Sequence, residues 1–383
     1  MTETLNVAVA GYAFMGRIHT SGWAQAAKFF GTPARVTHVI GRNRERTQAF
    51  ADAFGIPTVL TDWRDAVADP DVHVVDVCTP GDSHVDIAIG ALEAGKHVLC
   101  EKPLANSVAG AQRMVAAARA ASLEGVRSMV GFSYRRTPAL AYAKQLVDEG
   151  RIGDVRHIRA AYLQDWIADP EFPLVWRLDK DAAGSGALGD IGAHIIDLAT
   201  FLTGHRLTGL TGITETFVKT RPRLAEQTGG LTATGSEERG EVTVDDAAVW
   251  VARTDRGALA TFEATRFAVG RKNAMRIELN GSKGSLAFDF ERMNELELFD
   301  AALPAAENGF RRIQVTEPEH PYVGAWWPAG HGLGYEHTFT HEVRDFVDAI
   351  VAGRDPSPSF ADGLAVQQVL AAIEASGGSW VDL

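Results

Sequence analysis

Apolar and polar positions follow two different rhythms along this chain. Over the first 133 residues, short apolar runs of strand length precede longer stretches with helical spacing. Strands are expected at 6–10, 36–40, 59–60, 73–78, 97–100 and 128–132, and helices at 14–30, 44–54, 83–93 and 107–121. That alternation predicts a parallel sheet covered on both faces. From residue 134 the period shortens to two. A helix at 142–149 is followed by strands at 155–166, 242–253, 258–265, 274–279, 285–290 and 296–299, with "NGSKGS" as a turn between two of them. A helical stretch at 186–202 interrupts these strands, and two more, 335–351 and 360–375, close the chain. Residues 221–241, rich in glycine, threonine and charge, read as a mobile loop. Two domains are expected, 1–133 and 134–383, with the terminal helices as candidates to pack back on the first.

The first apolar run opens into "VAVAGYAFMGRIH" at 7–19. Gly11, Ala13 and Gly16 stand where a dinucleotide-binding turn carries G-x-G-x-x-G. Gly11 directly follows the strand. Gly16 begins a helix whose N-terminal N–H groups and dipole suit a pyrophosphate, with Phe14 and Met15 completing the turn. Ala13 adds one methyl group at the middle position, and a plain strand–helix turn is the alternative. After the second strand an acid usually holds the adenosine ribose; here the sequence is "VIGRNRER". Arg42 and Arg44 suit a 2′-phosphate, which leans the cofactor, NAD(P), toward NADP. A solvated basic loop is the other reading.

Two further segments carry candidate chemistry. "CEKPLA" follows the strand at 97–100, which puts Glu101 and Lys102 at the carboxyl edge of the sheet, where ligands of open α/β sheets bind. A lysine there can also be simply solvated. "GSGALGDIGAHIIDLATFL" at 184–202 holds Asp190 and His194 four residues apart, on one face of a helix, with Asp197 nearby. Its four glycines are costly in a helix and suggest that something approaches the backbone closely. A packed helix with a buried, hydrogen-bonded histidine is the alternative.

Composition narrows the field. The chain is 46% hydrophobic and 22% charged, ordinary for a globular protein. Its net charge of −12 argues against a nucleic-acid partner. No apolar run approaches the roughly 20 residues that span a bilayer, and no basic-then-apolar N-terminal signal is visible. No membrane partner is therefore expected. Cys78 and Cys100 lie in apolar strands and read as buried reduced thiols, which suits a cytoplasmic location. No metal-ligand spacing is present, and no metal is expected.

A dinucleotide turn, then "EKP", then "D-x-G-x-H-x-x-D", in this order over essentially the whole chain, resembles the Gfo/Idh/MocA oxidoreductases. The resemblance implies an α/β Rossmann domain plus an α+β domain with a largely antiparallel open-faced sheet. It implies an NAD(P)-dependent dehydrogenase, with Lys102, Asp190 and His194 as the catalytic set. His194 would take the substrate hydroxyl proton, Asp190 would orient the substrate or the imidazole, and Lys102 would donate to the reacting oxygen. "TPGDSH" would bring Thr79, Pro80 and His84 near the cofactor, or leave His84 as a helix N-terminal residue without contact. Tyr134, Gln164, Trp176, Arg177 and Tyr335 are candidate sugar contacts, each of them alternatively core or surface. The flanking stretches "RRTPA", "AYLQDW" and "GSGALGDI" are similar to a branch acting on a ring hydroxyl of pyranoses and anhydrosugars. The small-molecule partner is thus a sugar or polyol. The family's open sheet face implies a homodimer or homotetramer. Two rival readings are a trapped-cofactor oxidoreductase with a redox-neutral cycle and a nicotinamide-binding protein without catalysis.

Overall fold

The computed structural model describes residues 4–229 and 232–383. The chain divides into two compact units, Met1–Ser133 with Tyr335–Gln367, and Tyr134–Gly334 with Gln368–Leu383.

The first unit alternates strand and helix: β1 (Leu5–Ala10), α1 (Phe14–Phe30), β2 (Ala34–Ile40), α2 (Arg44–Phe54), β3 (Thr58–Leu60), α3 (Trp63–Ala68), β4 (Val74–Val77), α4 (His84–Glu93), β5 (His97–Glu101), α5 (Val108–Leu123) and β6 (Ser128–Gly131). All six strands run parallel in the order β3-β2-β1-β4-β5-β6. The chain order reverses between β1 and β4, the switch point at which doubly wound sheets bind ligands. Buried on both faces, these strands read as almost continuous apolar runs. Val7, Val9, Val74, Leu99 and Met129 form the sheet side of the core, with Trp23 and Ala26 of α1 against them. A late helix, Tyr335–Val351, adds Val343, Phe346 and Val347 to the same core.

The second unit contains α6 (Pro138–Asp148), β7 (Val155–Leu163), the short α7 (Lys180–Ala183), α8 (Ala193–Thr203), β8 (Leu207–Glu215), β9 (Thr220–Gly229) and β10 (Thr232–Glu241). It continues with β11 (Ala247–Thr254), β12 (Leu259–Thr265), β13 (Ala274–Gly281), β14 (Gly284–Asp289), β15 (Glu295–Asp300) and β16 (Arg311–Gln314). The late helix of the first unit is α9; α10 (Phe360–Ser376) and β17 (Val381–Asp382) end the chain. The sheet order is β16-β15-β14-β13-β7-β12-β11-β8-β17, with β7 and β12 parallel and every other pair antiparallel. β11 shows why one face is open. Ala248, Trp250 and Ala252 are buried, while Val249 and Val251 between them are exposed. α8 lies on the buried side against β7 and β13.

Three sequence expectations are corrected. Residues 221–241 are a two-stranded ribbon, β9 against β10, rather than a loop; residues 230 and 231 lie outside the described residues. Its polar composition goes with strands that form a separate two-stranded sheet, bridged to the loop at Leu174. What anchors it is Arg221, fully buried, whose guanidinium donates to the carbonyls of Ile167, Asp169 and Phe172. The helix expected at 186–202 starts as a π-helical turn, Leu188–Gly192, and becomes α-helical only at Ala193. Asp190 therefore sits in the π turn and His194 in the α-helix that continues it. The strand expected to reach residue 166 stops at Leu163, which leaves Gln164 and Trp166 in the following loop. Among the described residues no helix is long and apolar enough to cross a membrane.

His97, at the start of β5, accepts the Arg127 N–H on Nδ1 at 2.9 Å, a bond that only the unprotonated nitrogen can make. Burial, aided by the charges of Arg127 and His73, lowers its pKa to about 4. The unfolded chain takes up this proton at about pH 6.5. Folding stability is thus lost as pH falls from about 6.5 toward 4, because the unfolded state binds the proton first. His97→Asn keeps an acceptor without the titration, so its melting temperature should fall less than the wild type's between pH 7 and 4.5. Parallel curves for the two proteins would assign the acid sensitivity elsewhere.

Candidate functional site

The first unit supplies a turn built for a dinucleotide. Gly11 has φ +120, and a Cβ on it would lie 2.8 Å from the Cys78 carbonyl oxygen at the end of β4. A Cβ on Gly16 would lie 2.1 Å from the Gly11 carbonyl oxygen. Only glycine allows β1, α1 and β4 to close this tightly. Ala13 is the N-cap of α1, in an extended conformation, and makes no side-chain cap. No acid stands in the first turn, so the positive helix end and the N–H groups of Phe14, Met15 and Gly16 suit an anion. Ala13 fits because the cap position needs little room. The residues present therefore fit a pyrophosphate. Arg42 and Arg44 lie exposed at the end of β2, where Asn43 caps α2 through the Arg46 N–H. The ring of Tyr335, the first residue of α9, is stacked parallel to Phe14 at 6.3 Å.

Beside that turn lies a buried charged network. His19 Nδ1 is 3.0 Å from both carboxylate oxygens of Asp76, and its Nε2 is 3.0 Å from Glu101 Oε1. The Trp23 indole N–H donates to Asp76 at 2.7 Å. Burial opposes charge on His19, but the Asp76 carboxylate and the Cys78 thiol beside it hold its pKa well above the usual imidazole range. Glu101 Oε2 accepts the Lys102 N–H at 3.2 Å, so the network reaches the backbone of the "EKP" lysine. Gly131 leaves room for it, since a Cβ there would lie 2.7 Å from Glu101 Oε1. His84 is buried, with Nδ1 3.0 Å from the Pro103 carbonyl and Nε2 2.9 Å from the Thr79 carbonyl. It ties the loop of Lys102 to the loop of Thr79 and Pro80, so it is not the helix-end residue without contact that was the alternative reading. Cys78 and Cys100 are buried and unpaired with each other, and burial pushes both thiols up.

The second unit gathers aromatic and amide groups around His194. The imidazole lies against Tyr134, ring centres 4.6 Å apart, and near Tyr162 at 5.9 Å. The two tyrosine hydroxyls are 2.5 Å apart, and Tyr162 donates to Asn273 Oδ1 at 2.6 Å. Gln164 donates to the same oxygen at 2.8 Å and accepts from the Trp166 indole at 3.0 Å. Asp197, the second acid of the motif, pairs with buried Arg135 through two hydrogen bonds of 2.8 and 2.5 Å, a structural role. Arg177 lies over the Trp176 ring at 4.4 Å.

The glycines of the Asp190 segment do admit a close approach. A Cβ on Gly186 would lie 1.7 Å from the Asp245 carbonyl oxygen, and one on Gly189 2.2 Å from Ser185 Oγ. The protein's own chain makes the close approach. Asp245 also accepts the N–H groups of Gly186 at 2.7 Å and Leu188 at 2.8 Å, which fixes the start of the π turn. Sequence reading missed Asn273, Asp245, Arg266 and the His19–Asp76 pair. Only Asp76 left a signal, as a lone charge inside the apolar run "VVDV".

Comparison with known proteins agrees with this geometry. Residues 5–132 match the oxidoreductase family with an NAD-binding Rossmann fold, and residues 140–287 match the GFO/IDH/MocA C-terminal domain. The chain belongs to the Gfo/Idh/MocA oxidoreductase family. It is 43% identical over its whole length, and over 98% of the relative, to levoglucosan dehydrogenase of Pseudarthrobacter phenanthrenivorans. A crystal structure of an oxidoreductase domain protein from Kribbella flavida superposes with a TM-score of 0.94 at 59% identity, covering 100% and 99% of the two chains. Levoglucosan dehydrogenase in complex with NADH and levoglucosan superposes at 0.92 with 41% identity, covering 99% of each.

Because a backbone carbonyl cannot yield, Gly186→Ala should lower stability by about 1–3 kcal/mol in chemical denaturation. Gly309→Ala, with nothing within 4 Å of the added carbon, should leave it unchanged. Equal midpoints for both variants would contradict the close approach at Asp245.

Proposed function

We propose that this protein is a nicotinamide-dependent dehydrogenase that oxidises a secondary hydroxyl of a sugar, anhydrosugar or polyol. The observation that carries the proposal is the polar–aromatic cluster of Tyr134, Tyr162, Gln164 and Asn273 around His194, in a chain whose first unit has the dinucleotide turn. Aromatic faces beside amides and hydroxyls suit a polyhydroxylated ring. The likeness to levoglucosan dehydrogenase points the same way.

A nicotinamide dinucleotide held at the turn of Gly11, Ala13 and Gly16 would supply the hydride acceptor. His194 takes the proton from the substrate hydroxyl as general base. Asp190 accepts a hydrogen bond from a neighbouring hydroxyl or from the imidazole and so sets the orientation. Lys102 donates to the reacting oxygen and stabilises the negative charge that grows there. Glu101 holds the backbone of Lys102, and His84 holds the loop behind it. Gln164, Trp176, Arg177 and Tyr335 are assigned to the sugar.

Arg42 and Arg44 favour NADP, whereas the NADH-bound levoglucosan dehydrogenase favours NAD. Initial rates with both cofactors over a panel of sugars, inositols and anhydrosugars decide the matter. If the guanidinium holds a 2′-phosphate, Arg42→Ala should weaken NADP⁺ at least about tenfold and leave NAD⁺ unaffected. Lys102→Ala and His194→Ala should each lower kcat by about 10²-fold or more. A loss of only a few-fold in both would remove these residues from their roles.

The proposal includes a homodimer or homotetramer formed through the open sheet face, where Val249, Val251 and Leu259 are exposed. Light scattering should give a dimer or tetramer mass, reduced by Val249→Glu. A monomeric wild type would exclude that assembly.

A further inference from the structure

Arg266 follows the end of β12 and is completely buried, which is rare for an arginine. Its guanidinium lies 3.6 Å from Asp190 Oδ2. It donates to the Asp245 carbonyl at 3.2 Å and to the Arg177 carbonyl at 3.5 Å, and it stacks 5.5 Å from the centre of Trp166. The Arg266 N–H donates to the Asp246 carbonyl at 3.1 Å. One side chain thus joins three stretches: the π turn of Asp190, the Asp245–Asp246 turn that fixes its start, and the loop of Trp176 and Arg177.

The charges around it are mixed. Asp190, Asp245 and Asp246 face it with negative charge, Arg177 and Arg221 with positive. Burial pushes the carboxyls of Asp245 and Asp246 up, and the charge of Arg266 opposes this in both. Asp245 is further engaged with two backbone N–H groups, and Asp246 with those of Phe217 and Val218. Asp190 differs from both because its side chain is 27% exposed. It is the member of the trio with a face turned to solvent and so able to meet a ligand.

We propose that Arg266 is a positioning residue for the dehydrogenase reaction: it keeps Asp190 ionised and aimed, so that Asp190 acts as an acceptor rather than a donor. This rests on the sugar-dehydrogenase reading above. A fixed guanidinium at ion-pair distance lowers the proton affinity of a carboxylate, and a buried one is poorly screened. Its hydrogen bonds to the Asp245 and Arg177 carbonyls fix where that charge stands beside the carboxylate.

Two measurements test the proposal, and the first needs no substrate. Urea denaturation of the wild type, Asp190→Asn, Arg266→Gln and the double variant forms a thermodynamic cycle. The expected result is that the double variant loses clearly less than the two single losses combined. Additive losses overturn the coupling whatever the protein oxidises, and absence of turnover in the wild type counts against the dehydrogenase reading alone. The second is the pH profile of kcat/KM. Arg266→Gln should lower kcat/KM about tenfold and move the acid limb up by about one pH unit. Arg266→Lys should leave the limb in place and recover much of the loss. Equal losses in both variants with unmoved limbs would make Arg266 a packing residue only. Should Arg266→Gln fail to fold, Arg266→Lys decides: an unmoved limb with reduced kcat supports the proposal, and a shifted limb or full activity overturns it.

Discussion

Backbone meeting backbone, with no side chain between, is the constraint on which both units are built. In the first unit Gly16 brings α1 onto the Gly11 carbonyl, and Gly11 brings the turn onto the carbonyl at the end of β4. In the second, Gly186 brings the Asp190 segment onto the Asp245 carbonyl. A methyl group at any of these positions would overlap an atom that has nowhere to go. The first approach opens a helix N-terminus to an anion. The second sets a π turn that holds Asp190, the kind of local irregularity that recurs at functional sites.

Around each close approach the fold buries charge and balances it. His19 lies between Asp76 and Glu101 in the first unit, and Arg266 lies among Asp190, Asp245 and Asp246 in the second. Such groups cost a great deal to desolvate, and removing one partner leaves the other stranded. Glu101 holds the Lys102 backbone, and Arg266 stands at ion-pair distance from the Asp190 carboxylate. Neither His19 nor Arg266 is a catalytic candidate, yet His19 touches Glu101, the neighbour of Lys102, and Arg266 lies against Asp190 itself.

Much of the fold was legible in the chain because both sheets leave a periodic signal. β1, α1, α2 and α9 fall where the apolar rhythm puts them. The ribbon β9–β10 escaped because its strands form a sheet of their own and carry no regular apolar stripe. The π turn escaped because glycines say that something comes close without saying what.

The sequence by itself determined the dinucleotide turn, the order of the motifs along the chain, and the family. These are local or ordered features, carried by neighbouring residues and by motif succession. Tertiary structure alone decided that His84 joins two loops, that Asp197 pairs with Arg135, and that Gly186 admits the Asp245 carbonyl. It alone brought Asn273 to Tyr162 and Arg266 to Asp190, across 111 residues in the first case. The physical reason is that a hydrogen bond or ion pair between distant residues depends on where the intervening chain folds. Neither residue's neighbours in sequence carry any trace of it.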